Sequence, residues 1–407
     1  MVIIGAGQAG AQAIETLRRR DHRGPITLIG EESLLPYQRP PLSKKFLAGN
    51  LERDRLLIRH LDHYAEHGVD VRLGYSAVRI DRAARRVEIA DGSHADYERL
   101  LLATGSRARL FQVPGAELAG VHYLRSFSDV ERLRTELVAG RRGVIVGGGY
   151  IGLEAASTCR DLQVSITVLD AADRVMSRVV SPWISQFYEA EHARRGVDIR
   201  CGARVTAFLP EAAPKNAGMA RVAAVRLADG TEVPADFVLV AIGVVPNEEL
   251  ARDAGLACDN GILVDEYCRT NDPVIFAAGD CARHPSPHYG VRVLLESVDN
   301  AFEQAQSAAL NMYGVATVHD KVPWFWSDQY DLKMIIVGLS QGHTHALLRG
   351  DPATRSFSVV YLRDGELIAV DTVNCAKDQL SARKLIPARA RPDPRKLVDP
   401  AIPLKDC

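Results

Sequence analysis

The sequence lacks several features, and each absence closes off a class of function. It has no charge excess: 50 Lys and Arg stand against 51 Asp and Glu in 407 residues, a formal net charge of −1. That balance argues against a bulk electrostatic partner such as nucleic acid or an anionic membrane, while leaving room for a local patch. No apolar stretch approaches the roughly 20 residues needed to span a bilayer. No basic-then-apolar export signal precedes the run Val2-Ile3-Ile4. Paired cysteines are missing too. The seven, Cys159, Cys201, Cys258, Cys268, Cys281, Cys375 and Cys407, are scattered, contain no Cys-x-x-Cys, and leave the first 158 residues without a thiol. A disulfide framework, a zinc ribbon or a cysteine-held iron–sulfur cluster needs closer spacing. These absences lead to the expectation of a soluble cytoplasmic protein with no metal site.

What is present is a repeat. The length predicts two or three domains, and 47% hydrophobic residues supply the cores. Val2-Ile3-Ile4-Gly5-Ala6-Gly7-Gln8-Ala9-Gly10 is echoed by Val144-Ile145-Val146-Gly147-Gly148-Gly149-Tyr150-Ile151-Gly152. Each copy continues into a helical run (11–20 and 153–162), then a second strand (26–29 and 165–169) ending at an acid, Glu31 or Asp170. In such a motif the first glycine makes a tight turn and the second lets backbone approach a pyrophosphate. The third lets helix pack on strand, and the acid accepts from a ribose 2′-hydroxyl. The helix N-terminus offers free N–H groups to phosphate. Glu31 lies 21 residues beyond Gly10 and Asp170 lies 18 beyond Gly152, near the ~20 the motif expects. A single copy could be a structural turn, but two copies in full context predict two dinucleotide sites.

Further landmarks repeat around them. Leu100-Leu101-Leu102-Ala103-Thr104-Gly105 and Val238-Leu239-Val240-Ala241-Ile242-Gly243 read as strands that close each nucleotide domain and pass close to a cofactor. Asp91-Gly92 and Asp229-Gly230 read as hairpin turns before each. A strand ending Ala278-Gly279-Asp280 precedes a helix from Val298 to Met312, and from about residue 319 short strands paired across Asp364-Gly365 predict an α+β domain. His284 and His288, like His343 and His345, have no acidic or cysteine neighbours and read as loop histidines.

The two glycine units, the Ala-Thr-Gly between them and the late Gly-Asp resemble the two-dinucleotide flavoproteins built like glutathione reductase. Tyr37-Gln38-Arg39-Pro40-Pro41-Leu42-Ser43-Lys44, Glu296-Ser297-Val298-Asp299-Asn300-Ala301 and Pro323-Trp324-Phe325-Trp326-Ser327-Asp328-Gln329 narrow the resemblance to NADH-dependent ferredoxin reductases of bacterial oxygenase systems. It implies an α/β fold of two Rossmann-like domains and a C-terminal α+β domain. FAD would be bound by 1–108 and 242–318, NADH by 109–241, and 319–407 would form the last domain. It implies that Gly5, Gly7, Gly10 and Glu31 hold the ADP half of FAD, with Ala103, Thr104, Gly105 and Arg107 alongside. Arg39, Pro41 and Lys44 would lie by the isoalloxazine, with Lys44 at its reactive edge. Gly279 and Asp280 would hold the ribityl chain, Val298 would offer backbone N–H to the flavin carbonyls, and Trp326 would cover one ring face. Gly147, Gly149, Tyr150, Ile151, Gly152, Asp170 and Gly243 would bind NADH, with Glu154 near the nicotinamide.

Read without the resemblance, Lys44 is a solvated loop charge and Trp326 a core residue. Glu154 is then an acid on the first turn of a helix, favoured there by the dipole. Asp170 should repel a 2′-phosphate and favour NADH, although Arg174 could soften that repulsion. Disulfide reductases and single-cysteine peroxidases of this architecture need an early thiol, which this chain lacks. A flavin that takes a hydride can give electrons up singly, so the expected acceptor is a small acidic two-iron ferredoxin. It would dock on local positive charge, for which Arg292, Lys384, Arg389, Arg391, Arg395 and Lys396 are candidates. The alternatives are a rubredoxin reductase, an NADH oxidase, or a non-turnover flavoprotein similar to apoptosis-inducing factor.

Overall fold

Runs such as Val2-Ile3-Ile4 and Val144-Ile145-Val146 carry no polar alternation, which suits strands covered on both faces in a parallel sheet. The computed structural model, which describes residues 1–212 and 220–407, places both runs at the centre of such sheets. The first sheet runs Ile275–Ala277, Leu100–Leu102, Val2–Ile4, Ile26–Gly30, Val69–Leu73, all parallel. The second runs Asp198–Arg200, Ser165–Leu169, Arg142–Val146, Phe237–Val240, Val121–Tyr123, again all parallel. In each, the glycine-motif strand sits between the acid-terminated strand and the closing strand. An antiparallel meander accompanies each sheet, Ala77–Asp81 to His94–Asp96 and Val205–Pro210 to Glu232–Pro234, with the Asp-Gly pairs at the turns.

Packing divides the chain into two compact units. One comprises Met1–Gln38, Arg53–Arg107 and Val245–Phe325, and the other Arg39–Glu52, Ala108–Val244 and Trp326–Cys407. The segment that carries Arg39, Pro41 and Lys44 therefore belongs with the second glycine motif. In the first unit, the helix Val298–Tyr313 turns Ala301, Ala305, Ala308 and Ala309 into a core with Ile3, Leu17, Leu28 and Phe276. Small side chains on that face let the helix lie close to its neighbour, Gln8–Arg19.

The second unit holds an antiparallel sheet in the order Trp324–Gln329, Leu332–Gly338, Glu366–Val373, Ser356–Arg363, His345–Asp351, backed by the helix Ala376–Leu385. This is the expected α+β part. Asp364 and Gly365 both take positive φ, 52° and 82°, as a two-residue hairpin turn requires. The loop reading of two histidines is corrected. His284 lies in the strand Ala282–Ser286, 3% exposed, with its ring 4.7 Å from that of His319, and His345 opens an edge strand. That strand shows no clean alternation, its one fully buried side chain being Arg349, which makes it hard to see in sequence. No helix among the described residues is long and apolar enough to cross a membrane.

Candidate functional site

The three glycines of each motif face different surroundings. A Cβ on Gly5 would stand 2.0 Å from the Ala103 carbonyl oxygen, and one on Gly10 would stand 2.1 Å from that of Gly5. In the second copy, Gly147 would meet Ala241 O at 2.4 Å and Gly152 would meet Gly147 O at 2.0 Å. Those four glycines are demanded by the chain's own backbone. Gly7 and Gly149 are not, for a Cβ there meets nothing within 4 Å. Each is the N-cap of its helix, with no capping side chain and no acid in the first turn. An uncapped helix N-terminus behind an open backbone patch is the cradle an anionic pyrophosphate fits. The residues present thus fit two dinucleotides.

In the first unit, Glu31 is exposed at the end of Ile26–Gly30. Ala103, Thr104 and Gly105 follow the closing strand, and Thr104 Oγ1 donates to Asn247 O at 2.6 Å. Arg107 is engaged by Glu249, at 2.6 and 3.1 Å, and by Asn247 Oδ1 at 2.8 Å. Gly279 N donates to buried Gln304 Oε1 at 2.9 Å, and Asp280 accepts from Ser106 Oγ at 2.8 Å. Val298 is the first residue of its helix, whose N-cap Ser297 accepts from Asn300 N at 3.1 Å. Gln304 Nε2 and Asn300 Oδ1 are buried beside this turn without a hydrogen-bond partner among the described residues. Unmet buried polar groups of this kind call for a partner, for which a bound polar group is one source.

In the second unit, Tyr150 and Ile151 open the helix Tyr150–Asp161, with Ile151 44% exposed. Gly243 follows the closing strand Phe237–Val240. Asp170 ends its strand and latches the glycine turn, accepting from Gly148 N at 2.6 Å and from Ala172 N at 2.8 Å. Arg174 is turned elsewhere, with Nη1 on Val180 O and Ser185 Oγ and Nη2 on Ser177 O.

Pro40 and Pro41 preset the φ values of a short 3-10 turn, Pro40–Ser43, which ends at Lys44. The turn is pinned to the glycine-motif helix by Thr158 Oγ1 donating to Ser43 O at 2.8 Å. Arg39 donates to Arg125 O at 2.7 Å. This anchoring brings Lys44 Nζ to 2.6 Å from Glu154 Oε2. Glu154 is 2% exposed and Lys44 18%. Ser43 Oγ donates to the same oxygen at 2.6 Å, and Ser327 Oγ donates to Oε1 at 2.8 Å. Three donors on one carboxylate are what a buried ion pair needs to be tolerated. Two readings are corrected here. Glu154 is the fifth residue of its helix, past the first turn, so the dipole does not account for it. Lys44 is an ion-paired residue and not a solvated charge.

Trp326 stands half-buried in the strand Trp324–Gln329, whose opposite face carries buried Ser327 and Gln329. Sequence reading missed Ser43 and Ser327 as partners of Glu154. The available signal was a pair of polar residues two apart in an aromatic strand, a period that puts both on one face.

All seven cysteines are free. Burial pushes the Cys159 thiol up to about 12 and holds that side chain 1% exposed. It is a packing residue of the glycine-motif helix, with no access to a redox role.

Two family models match the chain: pyridine nucleotide-disulphide oxidoreductase over residues 1–307, and reductase C-terminal over 324–407. The chain is 43% identical over 406 residues to a 5,5′-dehydrodivanillate O-demethylase ferredoxin reductase subunit of Sphingobium sp., covering 100% of this chain and 97% of that one. It is 41% identical over 409 residues to putidaredoxin reductase of Pseudomonas putida, covering 100% and 96%. Among solved structures, the covalent putidaredoxin reductase–putidaredoxin complex superimposes with a TM-score of 0.95 at 41% identity, covering 99% of this chain and 96% of that one. The chain belongs to the pyridine nucleotide-disulphide oxidoreductase family and carries its reductase C-terminal domain.

Proposed function

We propose that the chain is an NADH-dependent, FAD-containing ferredoxin reductase that supplies electrons to an oxygenase or cytochrome P450 through a two-iron ferredoxin. The observation that carries this reading is the lack of any thiol before buried Cys159 in a chain that keeps both dinucleotide cradles. A member of this family with no disulfide to reduce must hand its electrons to an external acceptor. The two relatives described above are named as a ferredoxin reductase subunit and a putidaredoxin reductase, while a rubredoxin-NAD(+) reductase matches at a lower 36% identity.

Bound FAD supplies the chemistry that converts one hydride into two single electrons. In this reading Gly5, Gly7, Gly10 and Glu31 hold its ADP half, and Asp280 the ribityl chain. Val298 would offer its N–H to the flavin, and Trp326 would pack against it. Gly147, Gly149, Gly152 and Asp170 hold NADH. Asp170 disfavours a 2′-phosphate, and Arg174, bound to three local oxygens, does not offset it. Lys44 supplies positive charge at the reactive edge, and Glu154 fixes Lys44 and orients the nicotinamide. The ferredoxin docks on Lys384, Arg389, Arg391, Arg395 and Lys396, with Arg292 as a further cation. The seven free thiols suit a reducing cytoplasm.

The test compares NADH consumption in air with and without a purified two-iron ferredoxin, using cytochrome c as the terminal acceptor. Stimulation of many-fold with little oxygen uptake supports the reading. NADH consumed by oxygen, with no response to ferredoxin, refutes it.

A further inference from the structure

The Glu154 carboxylate is the inner end of a longer construction that lies wholly in the second unit. Ser327 Oγ donates to Glu154 Oε1 at 2.8 Å, and Gln329 Nε2 donates to Ser327 Oγ at 3.2 Å. Gln329 Oε1 is 2.8 Å from His192 Nε2, and His192 Nδ1 is 3.0 Å from the Tyr330 hydroxyl. Ser327, Gln329 and His192 are each 0% exposed. Beyond them, Tyr330 is half-buried, with the Arg195 guanidinium 4.3 Å above its ring.

The direction of every bond follows from the carboxylate. A carboxylate only accepts, so the single Ser327 hydrogen is committed to Glu154. The serine lone pair must then be met by a donor, which fixes the Gln329 amide with Nε2 inward and Oε1 outward. That oxygen requires a proton on His192 Nε2. With Nε2 protonated and the imidazole neutral, Nδ1 accepts from Tyr330. Burial lowers the His192 pKa to about 4, so the ring stays neutral through the physiological range. Its charged neighbours, Arg195 and Glu191, push in opposite directions.

A primary amide does not pass a proton on without tautomerising, so the array is no proton wire. What it does is orient. Four side chains have their donors aligned towards one acceptor, and reversing any one would oppose two like groups in a dry interior, where an unmade bond is costly.

We propose that Ser327, Gln329, His192 and Tyr330 form a directional relay that locks the Glu154 carboxylate in a single orientation beside Lys44, making Ser327, Gln329 and His192 positioning residues for hydride transfer. The kinetic part rests on the reading of Glu154 as the group beside the nicotinamide, whereas the relay itself can be tested without it.

The first arm is nitrogen-15 NMR of histidine-labelled protein, with the His192 signal assigned by its loss in His192→Gln. The relay predicts a neutral Nε2–H tautomer from pH 5.5 to 8 in the native protein, and a mixture of tautomers in Glu154→Gln. A native Nδ1–H tautomer, a ring that titrates near pH 6.5, or no response to Glu154→Gln overturns it.

The second arm is anaerobic stopped-flow reduction of the holoenzyme by NADH. Ser327→Ala and Gln329→Leu should slow reduction about 10- to 100-fold, the cost of a misplaced group. Affinity for NAD+ should change less than about threefold, and Ser327→Thr, which keeps the hydroxyl, should restore the rate. In a Glu154→Gln background Gln329→Leu should add nothing, whereas a purely structural lesion would slow both backgrounds equally and overturn the proposal. Thermal melting of each variant separates misfolding from mispositioning. If Glu154→Gln reduces at the native rate while the His192 tautomer still responds, the relay stands and the role of Glu154 at the nicotinamide falls.

Discussion

The different surroundings of the motif glycines make a sharp test in the second unit. Gly149 has φ −78° and ψ −174°, a conformation alanine adopts freely, and its missing Cβ points into open space. Gly147 has φ +110°, and a Cβ would stand 2.4 Å from Ala241 O. Gly149→Ala should therefore fold about as well as the native protein, the roughly 0.4–1 kcal/mol gained by restricting the unfolded chain being offset by alanine's poorer performance as an N-cap. The same methyl group occupies the patch where a pyrophosphate would touch backbone. Overpacking of that kind costs about 1–3 kcal/mol, which raises the KM for NADH about 5- to 150-fold. Gly147→Ala should instead lose stability outright. Melting temperature, FAD content and the NADH KM with a dye acceptor read out all three effects. A Gly149→Ala protein that melts well below native, or that keeps its KM, would refute the assignment of this glycine to ligand and not to fold.

Three other outcomes follow. Removing Lys44 leaves the buried Glu154 charge short of its ion-pair partner, so Lys44→Met should cost about 3 kcal/mol in denaturant unfolding, with much of it regained in Lys44→Met/Glu154→Gln; a cost under about 1 kcal/mol contradicts the buried pair. Burial depresses His192 and His319 to about 4 and His284 to about 3, so the stability due to their neutral forms is complete above pH 6.5 and falls as pH drops towards 4. Asp371, raised by burial to about 7, works the other way over pH 4–7. Three groups against one leave a net loss of roughly 2 kcal/mol per pH unit between pH 6 and 4.5, which urea midpoints across that range would show and a flat profile would contradict. Reversing charge at Arg389 and Arg391 should slow ferredoxin reduction while leaving NADH-to-dye activity intact; equal loss of both, or of neither, removes the docking surface from the account.

The doubly repeated Rossmann architecture was legible because glycine turns, β-branched runs and strand-ending acids are local signals. Val2–Ile4 and Arg142–Val146 fall where those signals put them, as do the Asp-Gly hairpins and the helix Val298–Tyr313. The surroundings of Glu154 were not legible, since they are assembled from residues 43, 44, 154 and 327, which no spacing rule connects. The same holds for His192, whose partners Gln329 and Tyr330 come from a strand and turn more than 130 residues away. His284 was misread because a strand with a proline at 285 lacks the usual β pattern. Where a role depended on long-range burial, sequence supplied candidates and packing decided among them.

The central claim is that two electrons enter from NADH and leave singly to a two-iron ferredoxin. The most direct measurement is anaerobic: excess ferredoxin, limiting NADH and a trace of enzyme, followed by ferredoxin bleaching. The account predicts two ferredoxins reduced per NADH within seconds, at a rate that saturates with ferredoxin and is far lower with NADPH. NADH left unconsumed until oxygen is admitted would contradict it.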